Sequence, residues 1–346
     1  NLRHSQRQLS EFLTFASLDN QVNREKTKQS SFVTQYQTDL GEQWQFNASA
    51  SYSRDSWTAL ASTLPQGYEF FPGLFLEQAF RIGPLLKSSN YAGKLELNYQ
   101  VSQSNRLTFG GEFENARIDD VATINSHNPV TFEYYGEDLV YNRNELNFNR
   151  REKRTNTSLY LQDQHKFNDS WQLTFGVRAD DYNDFGQSIN PRVALIWNDN
   201  DKQSLKFMYG SAFRAPNFLE LYDQNNPVDF GNLNLTADEV ETSELAWLYS
   251  GSSWRSEITL FHNHYKNLIR LGTPQNSPLN PLNAPTFYNG EGEHTSGVEL
   301  AYQMKLSKDL SWRANWNWFS GDSAIDVARN NGSLIIDYQL GDWQVS

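Results

Sequence analysis

The sequence of 346 residues contains no cysteine, and this absence removes several chemistries at once. There can be no disulfide framework, no thiolate nucleophile and no cysteine-ligated metal centre. No stretch approaches the roughly 18 consecutive apolar residues of a transmembrane helix, so a helical membrane protein is excluded. Positive charge is also in deficit: the formal net charge of −12 argues against nucleic-acid binding, and we expect no nucleic-acid partner.

The sequence also has little apolar content for its length. Only 38% of the residues are hydrophobic, yet aromatic residues reach 14%. Disordered chains carry few aromatic residues, so this composition excludes simple disorder and suits a fold with one thin apolar surface. The first residues, Asn1-Leu2-Arg3-His4, do not resemble a secretory signal. We therefore expect either that a signal was removed or that this is an internal segment.

Apolar and polar residues alternate with period two in one segment after another, which is the primary signal of β-strands. Between Trp171 and Arg178 the odd positions are apolar and the even positions are polar or glycine. From Leu205 to Arg214 the apolar face carries Leu205, Phe207, Tyr209 and Phe213, against Lys206, Gly210 and Arg214, and the same split recurs from Leu310 to Trp318. We count about fourteen such segments, roughly 9–15 residues long, which exceeds the usual strand length of globular proteins.

The connections between these segments fall alternately into two length classes. Short polar turns are predicted at residues 41–42, 102–105, 168–170, 198–202, 250–253, 307–309 and 341–342. Long loops are predicted at residues 18–29, 55–89, 119–152, 215–238, 270–293 and 320–331, with a shorter one at 184–189. In an up-and-down barrel, this order places all short turns at one rim and all long loops at the other, as in outer-membrane barrels.

The pattern therefore predicts an all-β chain that forms an antiparallel up-and-down transmembrane β-barrel. A soluble β-sandwich also alternates apolar and polar residues, but it has no reason to sort its connections by length. A propeller or solenoid would show an internal repeat, and the sequence has none. No sustained helical periodicity and no flexible linker interrupt the chain, so residues 1–346 are predicted to form one domain.

Four motifs resemble those of the TonB-dependent outer-membrane receptors. The segment Tyr209–Tyr222 carries Phe-Arg-Ala-Pro at the end of a strand and then a Leu-Tyr pair. It is preceded by Asn-Pro-Arg at residues 190–192 and followed by Gly-Asn at residues 231–232 and by Gly-Val-Glu-Leu at residues 297–300. The order and spacing of these motifs are similar to those of the family across roughly residues 150–305.

The resemblance implies a barrel of about 22 strands closed by an N-terminal plug domain. The chain would then be a partial barrel, lacking the plug and several terminal strands. It further implies a Gram-negative outer-membrane receptor, surrounded by outer-membrane lipid and energised by the TonB-ExbB-ExbD complex through the plug. The implied activity is uptake of a scarce nutrient. A ferric siderophore is the first candidate on family frequency, and a cobalamin the second; no cofactor is implied.

Two other function classes stay open. A passive porin-like or structural barrel would need neither plug nor energy coupling. A barrel enzyme would need an organised Ser-His-Asp set near a rim, and no catalytic constellation stands out in the sequence. We therefore predict that the protein is not an enzyme.

Binding residues, if present, are expected in the long loops and on the lumen face beneath them. The candidate ligand contacts are Tyr68, Phe70, Phe71, Tyr134, Tyr135, Arg214 and Tyr222. The aromatic residues could instead pack loop against loop, and Arg214 could pair with a carboxylate such as Glu220. Charged residues predicted to face the lumen are expected to pair with each other or with the plug: Lys94, Glu96, Glu112 and Arg178.

Two clusters could bind metal ions but favour a simpler interpretation. His262 and His264 would share one face of a strand, yet no third ligand with metal-site spacing accompanies them. The acidic run from Asp180 to Asp184 is dense in oxygen atoms but lacks the spacing of a calcium loop, which favours a solvated turn. We predict no metal site.

Overall fold

The structure, a computed structural model, describes residues 2–10, 23–71, 73–128, 131, 133–141, 147–199, 202–225, 229–273, 285–321, 328–341 and 343–345. The strands are β1 Leu2–Ser10, β2 Arg24–Leu40, β3 Trp44–Leu64, β4 Glu69–Phe71, β5 Leu74–Phe75, β6 Phe80–Ser102, β7 Asn105–His127, β8 Tyr134–Tyr141, β9 Lys153–Lys166, β10 Trp171–Tyr182, β11 Gly186–Asp199, β12 Gln203–Arg214, β13 Asp238–Ser250, β14 Trp254–Lys266, β15 Ile269–Gly272, β16 Thr286–Asn289, β17 Glu293–Lys305, β18 Leu310–Gly321, β19 Asn330–Leu340 and β20 Trp343–Val345. One short helix, α1, spans Phe218–Tyr222. Within these ranges no helix is long and apolar enough to cross a membrane.

Long strands follow one another in chain order around a single sheet. Each is antiparallel to the next, in the order β1-β2-β3-β6-β7-β9-β10-β11-β12-β13-β14-β17-β18-β19-β20. Strand β8 folds back on β7, while β4–β5 and β15–β16 are separate hairpins. The predicted antiparallel up-and-down architecture is confirmed, with about fourteen long strands and β20 beginning another. Among the described strands, β1 and β20 each pair on one side only, so the sheet is open.

One face of the sheet is apolar and exposed. Phe32 is 49% exposed, Leu95 58% and Leu159 67%. All three lie on the same face, because side chains alternate between the two faces along a strand and residues paired across neighbouring strands share a face. A soluble protein does not expose a continuous apolar surface of this extent. We call this the outer face and the opposite, polar face the inner face.

Aromatic rings gather on the outer face next to the short turns. Trp44 stacks on Tyr99 with ring centroids 4.1 Å apart, and Tyr249 stacks on Trp254 at 4.0 Å. Further along the same rim, Tyr302 lies 4.9 Å from Trp312. Tyrosine and tryptophan concentrate where hydrocarbon meets headgroups, because their rings are apolar and their edges polar. These residues therefore mark one boundary of a membrane-spanning band.

The two rims differ as predicted, but the boundaries of four loops were predicted wrongly. Described strands end and begin on either side of each predicted short turn, and residues 200, 201 and 342 of two of these turns lie outside the described residues. Strand β2 begins at Arg24, inside the predicted loop 18–29, and β11 begins at Gly186, inside the predicted loop 184–189. Strand β3 continues to Leu64 and β6 begins at Phe80, so much of 55–89 is strand rather than loop. Likewise β7 reaches His127, inside the predicted loop 119–152. These extensions pair with one another beyond the membrane band, where burial on both faces removes the alternation that marks a spanning strand.

A small core lies within these extensions at the long-loop rim. Leu60 is 2% exposed and Val121 only 1%, with Leu76 of the β4–β5 hairpin buried beside the same region of the chain. Polar groups are buried there too, and Asn23 accepts a hydrogen bond of 2.8 Å from the backbone amide of Ser62. The rim above β3, β6 and β7 is thus an ordered structure with its own packing.

Candidate functional site

The inner face carries a concave region of about 630 Å³ between β6 and β12. Its lining comes from six strands that follow each other in the sheet, β6, β7, β9, β10, β11 and β12. Alternate residues of every strand point inward. The side chains that matter below are Lys94, Arg106, Tyr160, Arg178 and Arg192. Four of these five are cationic.

Half of these cations pair with inner-face carboxylates. The Nζ atom of Lys94 lies 3.2 Å from Oε2 of Glu96, and Nη1 of Arg178 lies 3.1 Å from Oε2 of Glu112. The prediction that these four residues pair with each other is confirmed. In the described part of the chain, Arg106 has no carboxylate partner.

Two glycines let long side chains lie flat against the inner wall. Tyr160 donates a hydrogen bond of 2.6 Å to Glu96, and its ring covers Gly110, where a Cβ atom would stand 2.0 Å from Cζ of that ring. Arg192 lies over Gly176 in the same way and donates a hydrogen bond to Gln162. Because glycine has no side chain, Tyr160 and Arg192 can lie close to the backbone of the sheet and take up little of the lumen.

At the long-loop rim, Arg214 ends β12 between two carboxylates. Its guanidinium lies 2.9 Å from Oε2 of Glu220 in α1 and 2.7 Å from Oδ2 of Asp238 at the start of β13. The sequence left open whether Arg214 meets a ligand or pairs with Glu220, and the pairing with Glu220 is confirmed. We call Arg214, Glu220 and Asp238 the Arg214 junction. It ties both ends of the loop 215–237 to its helix.

The helix α1 starts with a capping box that the sequence already contains. The side chain of Asn217 accepts 2.9 Å from the amide of Glu220, and the side chain of Glu220 accepts 2.7 Å from the amide of Asn217. Reciprocal capping satisfies amides that a helix start leaves unpaired. Glu220, only 8% exposed, therefore stabilises both the helix and Arg214.

The loop after α1 is also fixed to the segment that leads into β9. Asn149 donates 2.9 Å to the carboxylate of Asp223, and the amide of Gln224 donates 2.7 Å to the carbonyl of Phe148. Gly231 then passes close to the C-terminal end of α1, where its amide donates a hydrogen bond of 2.9 Å to the carbonyl oxygen of Asp223. The loop is thus held at several points before any ligand binds.

Tyr222 lies at the centre of this rim. The guanidinium of Arg150 stands 5.3 Å from the centre of its ring, a cation–π contact, and its hydroxyl donates 3.3 Å to Asp184. Burial, followed by the nearby carboxylates of Asp184 and Glu152, raises the pKa of Tyr222 to about 12. The phenol consequently stays protonated and able to donate at neutral pH.

A buried arginine beside Tyr222 was not found by sequence reasoning. Nε of Arg154 lies 2.8 Å from Oδ2 of Asp184, with side chains only 12% and 4% exposed. The Arg154 guanidinium also stands 5.3 Å from the ring of Phe185 and 5.0 Å from that of Phe218. Arg154 lies on β9 and Asp184 in the turn between β10 and β11, so only the pairing of β9 with β10 brings them together.

The acidic run 180–184 is not the solvated turn that the sequence favoured. Asp180 is 3% exposed and accepts hydrogen bonds from Arg178 and from Ser158, the latter at 2.6 Å. Asp184 is held by Arg154 as described above. The interpretation failed because it weighed the acidic residues alone, whereas arginines on neighbouring positions and strands neutralise them inside the protein.

The remaining candidate ligand contacts lie on other hairpins. Tyr68 is 44% exposed in the turn before β4; Phe70 and Phe71 belong to β4, but their side chains lie outside the described residues. Tyr134 packs 5.2 Å from the ring of His127. Tyr135 lies 6.0 Å from the ring of Tyr141, and burial, with a hydrogen bond to Tyr141, raises its pKa to about 12.

The two histidines of β14 have a neighbour that the sequence did not reveal. His294 of β17 stacks on His264 with centroids 4.3 Å apart and lies 5.6 Å from His262. All three lie on the outer face, because they continue the positions of Leu260 and Val298. Within the described ranges, no group of three or more His, Cys, Asp or Glu side chains is placed to hold a metal ion.

The combination of an up-and-down antiparallel sheet, an apolar outer face, a polar inner face and unequal rims defines an outer-membrane β-barrel. Residues 5–346 match the family described as "TonB dependent receptor-like, beta-barrel". The chain belongs to this family, of the outer membrane of Gram-negative bacteria.

Several named proteins share parts of this sequence. The chain is 26% identical over 288 residues to the ferric enterobactin receptor PirA of Pseudomonas aeruginosa, covering 75% of this chain and 37% of that protein. It is 30% identical over 144 residues to the vitamin B12 transporter BtuB of Vibrio cholerae, covering 40% of this chain and 22% of that protein. The chain thus spans well under half of the length of these two curated relatives.

Solved structures show the same fold. The siderophore receptor PirA of Acinetobacter baumannii superposes with a TM-score of 0.68 at 18% identity, covering 93% of this chain and 49% of that one. The copper transporter OprC gives 0.69 at 11% identity and similar coverage, 93% and 51%. At these identities the likeness establishes the fold alone, and the predicted barrel class is thereby confirmed.

Proposed function

We propose that the full-length protein is an active-transport receptor for a scarce nutrient, and that its ligand is a ferric siderophore. Support for the ligand class comes from the relatives, among which a ferric enterobactin receptor matches 75% of this chain at 26% identity and a vitamin B12 transporter of Photobacterium profundum matches 79% at 24% identity. The family also includes proteins named for vitamin B12 and copper, so the rim must carry the distinction.

The observation that carries this proposal is the contact between Arg150, in the segment that leads into β9, and Tyr222, on the loop fixed by the Arg214 junction. Nε of Arg150 also lies 3.4 Å from Oε1 of Glu152. Ferric catecholate complexes are anionic and aromatic, and an arginine over a tyrosine offers them a cation and a flat apolar surface. A loop held in place before binding loses little conformational entropy when a ligand arrives. Arg214 acts here as a positioning residue, because both of its carboxylate partners belong to the protein.

We further propose that the chain is a partial barrel whose lumen receives a plug domain, through which the TonB-ExbB-ExbD complex supplies energy. Arg106 and Arg192 support this arrangement, because they face the lumen without carboxylate partners among the described residues. They are available to contact a domain that fills the barrel. Tyr68, Phe70, Phe71, Tyr134 and Tyr135 remain candidate ligand contacts on the neighbouring hairpins.

A passive porin-like barrel and a barrel enzyme receive less support. A porin has no need of a rim loop held by two carboxylates, a capping box and a buried arginine cluster. The named relatives are receptors and transporters. We therefore infer transport without catalysis.

Ligand binding tests the proposal. The full-length receptor in detergent is titrated with ferric enterobactin, cobalamin and Cu²⁺, and binding is followed by tryptophan fluorescence. We expect ferric enterobactin to bind, and Arg150→Gln to weaken binding about tenfold because a charged contact is lost.

The matched control is Arg151→Gln, in the adjacent arginine. Its side chain is 52% exposed and pairs at 3.0 Å with Asp120 instead of with Tyr222. It should leave ferric enterobactin affinity unchanged. Binding of cobalamin or Cu²⁺ in place of ferric enterobactin would show that the receptor takes another class of substrate and would contradict the proposal. Binding of none of the three would also refute it.

A further inference from the structure

The outer face carries an unusual concentration of positive charge near the long-loop rim of β2 to β9. Seven cations form what we call the outer basic patch: Arg24, Lys26, Lys28, Arg54, Lys87, Arg117 and Lys153. Each lies in the alternation of its own strand on the same face as the exposed apolar residues, for example Lys28 with Phe32 and Arg54 with Tyr52. The patch is notable in a chain with a net charge of −12.

The strand register aligns these cations. Arg54 pairs with Ser89, Ser89 with Arg117, and Arg117 with Lys153, so three cations share one row across β3, β6, β7 and β9. With neighbouring strands about 4.8 Å apart, this row is about 15 Å long. In the next row Lys28 pairs with Ser56, which pairs with Lys87.

Little negative charge balances the patch. Asp120 lies 3.0 Å from Lys87, and it is shared with Arg151. In the described ranges, Arg24, Lys26, Lys28, Arg54, Arg117 and Lys153 make no ion pair with a carboxylate. Like charges on neighbouring strands repel each other and destabilise the folded protein. An anion bound from outside the protein would neutralise the cations and remove this repulsion.

The position of the patch along the strands shows where it lies relative to the membrane surface. Directly below the row of Arg54 and Arg117, Tyr52 stacks on Tyr91 with centroids 6.2 Å apart, and the Arg117 guanidinium stands 5.5 Å from the Tyr91 ring. Tyrosine rings of this kind mark the boundary between hydrocarbon and headgroups. The cations therefore lie at headgroup level in the leaflet on the long-loop side.

The opposite flank of the barrel lacks this feature. Above the apolar band of β13 and β14 the outer face carries Glu239, Glu241, His262, His264 and Lys266, and Lys266 is paired with Glu241 at 2.6 Å. Basic charge is consequently a local property of the β2–β9 flank and not a general property of this rim.

We propose that the outer basic patch binds the phosphate groups of a phosphorylated glycolipid in the outer leaflet. Arginine and lysine form charge-assisted hydrogen bonds with phosphate, and clusters of four to eight basic residues next to a membrane are typical of anionic-lipid recognition. The acyl chains of the same lipid would lie on Phe32, Leu95, Phe113 and Leu159 below. The proposal needs only the outer-membrane location and is independent of the transported ligand.

Lipid titration of the full-length protein tests it. Delipidated receptor in a non-ionic detergent is mixed with diphosphorylated lipid A or with its dephosphorylated form, and bound lipid is counted by native mass spectrometry. Each cation at a membrane surface contributes about fivefold in affinity. We expect the triple variant Arg54→Gln, Arg117→Gln, Lys153→Gln to bind diphosphorylated lipid A about a hundredfold more weakly than the unaltered protein.

The control variant, Lys166→Gln, Lys202→Gln, Lys308→Gln, removes the same charge at the short turns and should bind as the unaltered protein does. Equal binding by the patch variant, equal binding of the dephosphorylated lipid, or displacement by millimolar inorganic phosphate would each overturn the proposal. Resistance to detergent without heating checks folding. Should the triple variant not fold, Lys153→Gln alone must still weaken binding about fivefold.

Discussion

Replacing Arg214 by alanine is expected to release the loop 215–237 while the barrel stays folded. The change leaves Glu220, 8% exposed, and the largely buried Asp238 without their cation. Removing one partner of a buried ion pair is strongly destabilising, but Arg214 itself is 48% exposed, so we expect a local loss of about 2 kcal/mol. Amide hydrogen exchange of Gly231 and Asn232 should accelerate about thirtyfold.

Two comparisons make this result specific. Arg214→Lys keeps the charge but not the planar fork that reaches both carboxylates, so its exchange rates should fall between those of the alanine variant and the unaltered protein. The amide of Ala246, in the spanning part of β13, should exchange equally slowly in all three proteins. Unchanged exchange at residues 231 and 232 in Arg214→Ala would show that the junction does not hold the loop.

Adding a single methyl group at Gly231 is expected to displace the crossing of the loop over α1. A Cβ atom there would stand 2.6 Å from the backbone nitrogen of Asp223 and 2.7 Å from the carbonyl group of Leu221. Backbone atoms cannot rotate away as a side chain can, so Gly231→Ala should cost about 1–3 kcal/mol locally. Cleavage by chymotrypsin after Phe218, Tyr222 or Phe230 should become faster.

The control is a glycine with space around it. Gly93 in β6 has no atom within 4 Å of an added Cβ, and its substitution by alanine should leave both cleavage and barrel stability unchanged or slightly improved. If Gly231→Ala resists chymotrypsin as well as Gly93→Ala does, the close crossing seen in the structure is not a constraint on the loop.

Much of the barrel could be predicted from the sequence, because a spanning strand must alternate between lipid and lumen. The segment from Trp171 to Asp180 shows this alternation and lies in strand β10, Trp171–Tyr182. The short turns could be predicted equally well, because they contain residues such as Gly41, which adopts a φ of +78° that other residues rarely adopt. The extension of β7 through Val121 to His127 was missed because every residue from 121 to 127 is buried and none alternates.

The rim was less predictable, since its contacts depend on register and loop packing. Pairing of Arg214 with Glu220 could be named as one of two alternatives, because the two residues lie six positions apart in the sequence. The contact between Arg154 of β9 and Asp184 of the β10–β11 turn joins residues 30 positions apart, and no local sequence pattern predicts it. The capping box of Asn217 could have been found, because Asn-x-x-Glu before a short apolar run is a recognised helix start. The outer-face cations, such as Arg117, could not be recognised as one patch from the sequence, because only the strand register shows which of them lie in the same row.

Iron uptake that depends on inner-membrane energy distinguishes an active receptor from a passive pore. Cells that lack other siderophore receptors would express the full-length protein and be supplied with radiolabelled ferric enterobactin, with and without an uncoupler of the inner membrane. We predict accumulation of iron that stops when the proton gradient collapses, because an active receptor depends on inner-membrane energy. Accumulation at the same rate with the uncoupler would contradict active transport and indicate a passive pore.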